Sequence, residues 1–180
     1  MVLRTLPAGP CQRSALLVID VQQGLFERST PIYQAEQLLG HVNTLIEDAH
    51  RAEAPVIYIQ HCDKKSLVKG SDEWQLHHRM HQSDAYCVIE KEHLDAFDDT
   101  SLDTALRAAG IRCVVLTGLT TEGGVRATCL GARARGYKVI LASDGHSSAN
   151  RQAAELIETW NQKLSAEGAE LLQASEIGFE

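Results

Sequence analysis

The chain has 180 residues, 44% of them hydrophobic and 23% charged, values that suit a single globular domain spanning 1–180. It contains 17 Lys and Arg and 24 Asp and Glu, which give a net charge of −7. No basic stripe suggests a nucleic-acid partner. No apolar run is long enough to span a membrane. Met1–Arg13 lacks an apolar leader, and the five cysteines are an odd number without metal-type spacing, so we expect a soluble, cytoplasmic protein with reduced thiols.

The first half of the chain predicts two buried strands around one long helix. Ser14–Asp20 (SALLVID) is almost continuously apolar, which is typical of a strand buried on both faces of a parallel sheet. Pro31–Ala54 has helical periodicity, and Pro55–Ile59 (PVIYI) reads as a second buried strand. The polar segment from His61 to Ser83, with at most one helical turn near Trp74, is long for a loop, which is typical of a functional or mobile segment.

The second half predicts strands that alternate with helices. The predicted strands are Cys87–Ile89, Ile111–Thr117, Tyr137–Ala142 and Ala169–Leu172. The predicted helices are Thr100–Ala109, Glu122–Arg135 and Asn150–Ala166, with Thr100 and Gly110 as the cap and the end of the first. Because parallel strands need right-handed helical crossovers, the sequence predicts a three-layer αβα fold with a doubly wound, mainly parallel sheet.

Ligands of open parallel sheets bind beyond the carboxyl ends of the strands. The residues that follow the predicted strands are Asp20, His61, Glu90 and Lys91, Gly118, and Asp144 to His146. Asp20 would be a partly desolvated carboxylate beside a ligand, although an acid there can also cap a turn. Lys91 alone is equally typical of a solvated lysine. Gly118–Val125 (GLTTEGGV) fits a sharp strand-to-helix turn whose N–H groups attract negative charge, and it lacks the spacing of a dinucleotide site or P-loop.

Three blocks of the sequence resemble, in their order and spacing, the isochorismatase-like superfamily, which includes isochorismatases and cysteine amidohydrolases such as nicotinamidase. The blocks are LLVIDVQ, VIEKEHLDAFDDTSLDTAL and VVLTGLTTEGGVRATCLGARARGYKVILASDGHSS. The resemblance covers roughly Ser14–Ile177. It implies the superfamily's fold and a hydrolase of a small molecule, with no cofactor.

The resemblance also implies roles for individual residues. In the family's cysteine enzymes an aspartate takes the thiol proton, a lysine favours the thiolate, and backbone N–H groups at the helix start hold the oxyanion beside a cis peptide bond. Carried over to this chain, Asp20 is the acid/base and Lys91 its electrostatic partner. The N–H groups of Thr120 and Gly124 form the oxyanion hole, and Leu119–Thr120 is the cis peptide.

One position departs from the hydrolytic branch, because Gly124 stands where the nucleophilic cysteine is expected. Cys129 lies five residues later, turned away on the helix, and is interpreted as a buried structural thiol. Without sulfur at position 124 no acyl-enzyme can form.

Three interpretations of Gly124 remain open. Glycine can be an engineered or derived replacement in an amide or carbamoyl hydrolase, now inactive or substrate-trapping, which the amidase-like flanks TTEG and VRATC favour. The chain can be a thiol-independent isochorismatase-type enzyme, in which Asp20 protonates a vinyl ether and water completes the hydrolysis. It can also be a non-catalytic binding protein.

Further expectations concern the pocket, metals and assembly. Six residues are expected to line the substrate pocket: Phe26, His61, Trp74, Phe97, Leu119 and Thr121. Metal-dependent nicotinamidases contain an Asp-x-His pattern after the second strand. This chain has HCDKKS there, so no metal is expected. The resemblance further implies a homodimer or homotetramer, and neither nucleic acid nor membrane is an expected partner.

Overall fold

The structure is a computed structural model that describes residues 13–82 and 87–179. Cys11, Ser83 and nearly all of the stretch examined for a leader lie outside these residues. The described strands are β1 (Ser14–Ile19), β2 (Val56–His61), β3 (Cys87–Lys91), β4 (Cys113–Leu119), β5 (Lys138–Ser147) and β6 (Glu170–Leu172). The described helices are α1 (Gln23–Phe26), α2 (Ala35–Arg51), α3 (Leu102–Ala108), α4 (Arg126–Ala134) and α5 (Ala153–Ala166).

The strands form one sheet in the order β3-β2-β1-β4-β5-β6, and every neighbouring pair is parallel. The predicted doubly wound fold is therefore confirmed. The chain starts in the middle of the sheet, moves outward to β3 and returns to add β4 on the other side of β1. The carboxyl ends of β1 and β4 consequently border the crevice where ligands of such sheets bind.

Strand β1 is completely buried because alternate side chains belong to two different core layers. Leu16 and Val18 pack in the layer that contains the apolar face of α2. Leu17 and Ile19 pack in the layer that contains α3, α4 and α5. Burial of one such side chain stabilises the fold by about 1.5–3 kcal/mol. Of the described helices, none combines the length and apolar character that a membrane crossing requires.

Several boundaries near the site differ from the sequence prediction. The helix predicted from Glu122 begins instead as a π-helical turn, Thr121–Val125, because Gly123 has the non-helical angles φ −104° and ψ −108°, and regular helix starts at α4. The pairing of β4 with β5 shifts register between Leu116 and Gly118, and β5 continues to Ser147. Asp144 to His146 therefore lie within β5 rather than beyond its end.

Candidate active site

Asp20 and Lys91 form a buried ion pair at the carboxyl edge of the sheet. Asp20 follows the last residue of β1, and Lys91 ends β3, which is two strands away. Lys91 Nζ donates to Asp20 Oδ2 at 2.7 Å. Side-chain exposure is 0% for Lys91 and 9% for Asp20, so each charge depends on the other for compensation. Breaking such a pair by removing one partner costs about 3–5 kcal/mol.

The Asp20 carboxyl is suited to holding a proton. Burial raises its pKa above the ordinary value of 3.8, and the lowering influences of Lys91 and, behind it, His61 oppose this shift. Oδ2 receives the hydrogen bond from Lys91, whereas Oδ1 is buried without a hydrogen-bond partner. A carboxyl group with a raised pKa and one uncommitted oxygen can donate a proton to a bound molecule.

The turn after β4 brings position 124 against this carboxyl group. Gly118 has φ +118°, and a Cβ there would lie 2.1 Å from the Ile19 carbonyl oxygen, so only glycine fits between β4 and β1. A Cβ on Gly124 would lie 2.8 Å from Asp20 Oδ2 and 3.0 Å from both Ile19 Cγ2 and the Leu119 carbonyl oxygen. The Asp20 carboxyl thus packs directly on the Gly124 backbone.

The backbone of this turn is tightly hydrogen-bonded. The N–H groups of Gly123 and Val125 both donate to the Thr120 carbonyl at 3.1 Å, and the Leu119–Thr120 peptide bond is cis. Two N–H groups of the turn are therefore committed to Thr120. Assignment of the oxyanion hole to the N–H groups of Thr120 and Gly124 stays a prediction.

A buried network behind the turn, which the sequence did not reveal, fixes the side chain of Thr121. Thr121 Oγ1 lies 2.9 Å from His146 Nδ1, and His146 Nε2 lies 2.9 Å from Asn161 Oδ1. Asn161 Nδ2 donates to the Ser143 carbonyl at 3.0 Å, so Oδ1 must accept from His146. Nε2 then carries the proton and Nδ1 accepts from Thr121. Burial lowers the pKa of His146, which agrees with a neutral ring.

Gln22 is a second residue that sequence reasoning missed. Its side chain, fully buried, accepts from the His61 N–H at 2.8 Å and donates to the carbonyls of His61 at 3.0 Å and Trp74 at 2.9 Å. Gln60 Nε2 donates to the same Trp74 carbonyl at 2.8 Å. One side chain next to Asp20 therefore ties the end of β2 to the following loop.

Three of the expected pocket residues are half-buried, and their place in a pocket stays a prediction. His61 ends β2, is partly buried, and has no hydrogen-bond partner for Nδ1. The indole N–H of Trp74 donates to Cys62 Sγ at 3.1 Å. The ring of Phe26 lies 4.4 Å from that of His77, centroid to centroid. Phe26 lies in the segment after β1, His61 is the last residue of β2, and Trp74 lies in the loop that follows β2.

The other three expected pocket residues are interior. Phe97 is 4% exposed, stacks on Tyr137 at 5.8 Å and lies under the Arg135 guanidinium. Its aromatic side chain stabilises the core layer around α3 and α4, and its place in the pocket wall stays a prediction. Leu119 and Thr121 have no exposed surface and support the turn from within.

An open cavity of about 800 Å³ lies beyond the ends of β2 and β3. It is lined mainly by charged side chains: Asp63, Lys64, Lys69, Glu90, Lys91, Glu92, His93, Asp98 and Asp99, with Cys62 and Val68. Lys91 thus joins this cavity to the ion pair. Over residues 13–82 and 87–179, no three His, Cys, Asp or Glu side chains are grouped as metal ligands.

Comparisons with known proteins identify the family and agree with the fold. A family model described as the isochorismatase domain matches residues 14–174. A streptothricin hydrolase from Streptomyces noursei is 29% identical over 166 residues, which cover 91% of this chain and 60% of that protein.

Solved structures are similar over nearly the whole chain. One described as an isochorismatase family protein aligns with a TM-score of 0.83 and 28% identity, covering 89% of this chain and 98% of that one. N-carbamoylsarcosine amidase from Thermoplasma acidophilum aligns with a TM-score of 0.80 and 26% identity, covering 92% and 99%.

Proposed function

Since this chain belongs to the isochorismatase family of hydrolases, we propose that it hydrolyses a small molecule directly with water, without a covalent enzyme intermediate. One observation carries the proposal. Gly124 stands where the resemblance predicts the nucleophile, and Asp20 Oδ2 lies 2.8 Å from the place where a Cβ on Gly124 would stand. The predicted acid and lysine are thus both present, while a side chain at position 124 would crowd the Asp20 carboxyl.

A vinyl ether is the substrate class that such a site suits best. Its hydrolysis begins with transfer of a proton to the terminal vinyl carbon, and the buried Asp20 carboxyl, with its raised pKa, is a suitable donor. After the transfer Asp20 is an anion, which the Lys91 ammonium at 2.7 Å stabilises. Water adds to the resulting oxocarbenium carbon, and the hemiketal collapses to a ketone and an alcohol.

The test is release of pyruvate from isochorismate, an enolpyruvyl ether, followed with lactate dehydrogenase. We expect turnover by the protein as it stands and a loss of about 10²–10⁴-fold in Asp20→Asn, the usual contribution of a general acid. Asp48→Asn, on the surface of α2, is the matched control. Equal activity of Asp20→Asn and the unaltered protein would remove Asp20 from the mechanism.

A second candidate is hydrolysis of an amide or carbamoyl C–N bond through a cysteine at position 124. It is favoured by the similarity to a solved structure whose name is that of an amidase. Gly124→Cys should then gain amide hydrolysis that the glycine protein lacks, and codon 124 of the natural gene should encode cysteine. A protein that binds such compounds but turns over neither class would support the third alternative, a binding protein.

A further inference from the structure

His61 is held at the edge of the sheet between the two charged residues of the site. Strand β2 lies between β1 and β3, and His61 is the register partner of Lys91. Its backbone is fixed on both sides, because Gln22 accepts from its N–H and donates to its carbonyl. The imidazole therefore leaves the sheet from a rigid backbone, next to the strand position that carries Lys91.

The ring nitrogen Nδ1 of His61 is buried and has no hydrogen-bond partner. Over the part of the chain that the structure describes, four buried side-chain atoms lack a hydrogen-bond partner, and His61 Nδ1 and Asp20 Oδ1 are two of the four. A buried polar atom without a partner costs about 1–3 kcal/mol. Two such atoms on neighbouring strand ends indicate groups that are satisfied by bound reactants.

The surroundings of His61 keep the ring neutral. Burial lowers its pKa below 6.5, as does Lys91 on β3, while Asp20 after β1, Asp63 in its own loop and the backbone of His93 act in the opposite direction. A neutral imidazole has one ring nitrogen with a lone pair, and that nitrogen can accept a proton. Nδ1, which is not engaged in a hydrogen bond, is available for this role.

We propose that His61 is the general base of this site, whose Nδ1 takes a proton from the attacking water while Asp20 acts as the acid. The inference rests on the proposed function, in which water is the attacking nucleophile. Without a thiol at position 124, the proton of that water needs an acceptor other than Asp20, which acts as the acid.

The proton transfers balance over one turnover of a vinyl ether. Asp20 gives its proton to the vinyl carbon, and water adds to the oxocarbenium carbon as its proton passes to His61 Nδ1. The hemiketal hydroxyl then returns a proton to Asp20 as the C–O bond to the alcohol breaks. The leaving alkoxide takes the proton from His61, which restores both side chains.

The test compares pH profiles of kcat/KM with an enolpyruvyl ether as the probe. In the unaltered protein kcat/KM should rise with pH as His61 loses its proton and fall as Asp20 loses its own. His61→Gln should lower kcat by about 10²-fold or more and abolish the acid limb, while the alkaline limb remains. His50→Gln, on the exposed side of α2, is the matched control and should keep both limbs.

A second variant guards against simple misfolding. His61→Ala should regain activity on addition of imidazole, which only a folded protein lacking its base can do. Retention of the acid limb in His61→Gln, or a change confined to KM, would overturn the role of His61. If Asp20→Asn is inactive while His61→Gln is unimpaired, the proposed function stands and the base is elsewhere. If both variants are fully active, the proposed function itself fails.

Discussion

Placing a side chain at position 124 tests whether the site is built around glycine. In Gly124→Ala the new Cβ would lie 2.8 Å from Asp20 Oδ2 and 3.0 Å from Ile19 Cγ2 and the Leu119 carbonyl oxygen. Overpacking of this kind costs about 1–3 kcal/mol, whereas loss of a glycine from the unfolded chain returns about 0.4–1 kcal/mol. We expect a net loss of roughly 1–2 kcal/mol, or roughly 2–8 °C in Tm for a chain of this size.

Gly124→Cys adds sulfur to the same perturbation, so Gly124→Ala is its matched control. Urea unfolding should give similar losses for both variants, because they share the Cβ. Alkylation by iodoacetamide, located by peptide mass spectrometry, should mark the new cysteine well before Cys129, whose pKa burial raises to about 11. If Gly124→Ala is as stable as the unaltered protein, the crowding around Asp20 Oδ2 has been misjudged and the site can accept a cysteine without rearrangement.

The remaining predictions concern the groups that hold the site together. Lys91→Met should lower the free energy of unfolding in urea by about 3–5 kcal/mol. Because burial raises the folded-state pKa of Asp20, this loss of stability should be smallest below pH 3.8, where the carboxyl group is protonated, and should grow as pH rises. The double variant Asp20→Asn/Lys91→Met should recover most of the lost stability. Gln22→Leu should raise KM more than it lowers kcat and speed amide hydrogen exchange in the loop after β2; equal exchange would contradict its role. Asn161→Leu should lower kcat without changing KM, since it releases His146 behind the turn, and an unchanged kcat would assign that network to stability alone.

The features that the sequence predicted correctly are those that one strand or one strand end decides. SALLVI and CVVLT are largely apolar on both faces, so their place in the middle of a parallel sheet follows from their composition. The continuation of β4 through Gly118 and Leu119, which the sequence predicts as part of a turn, does not. Asp20 and Lys91 were identified because strand ends share one edge and because the flanking blocks resemble a known superfamily. The structure brings both groups within 2.7 Å of each other.

The features that the sequence did not predict depend on contacts between distant segments. Gln22 bonds to His61 and Trp74, and His146 bonds to Thr121 and Asn161, but none of these partners shares a local pattern with the other. A buried Gln or His has no periodicity of its own, so only the tertiary contact distinguishes it from a solvated one.

Aromatic and turn residues show the same limit in another form. The sequence predicts Phe97 as a pocket residue but does not reveal that its ring packs under Arg135 and beside Tyr137. The break at Gly123 depends on backbone angles that a run of glycines permits but does not require.

The Gln22 side chain fixes the segment after β2 through backbone groups of that segment, without using the side chains that the segment exposes. Its bonds to His61 and Trp74 fix the loop at both ends, and Asp63 closes the inner turn by accepting from the N–H groups of Lys65, Ser66 and Leu67. Leu67 is 1% exposed and packs in the core, so it belongs to the fixed part of this segment. The exposed side chains among residues 64–73 can change while the strand end and its imidazole stay in place. Replacing these exposed positions with those of a relative would test whether the segment decides substrate selectivity.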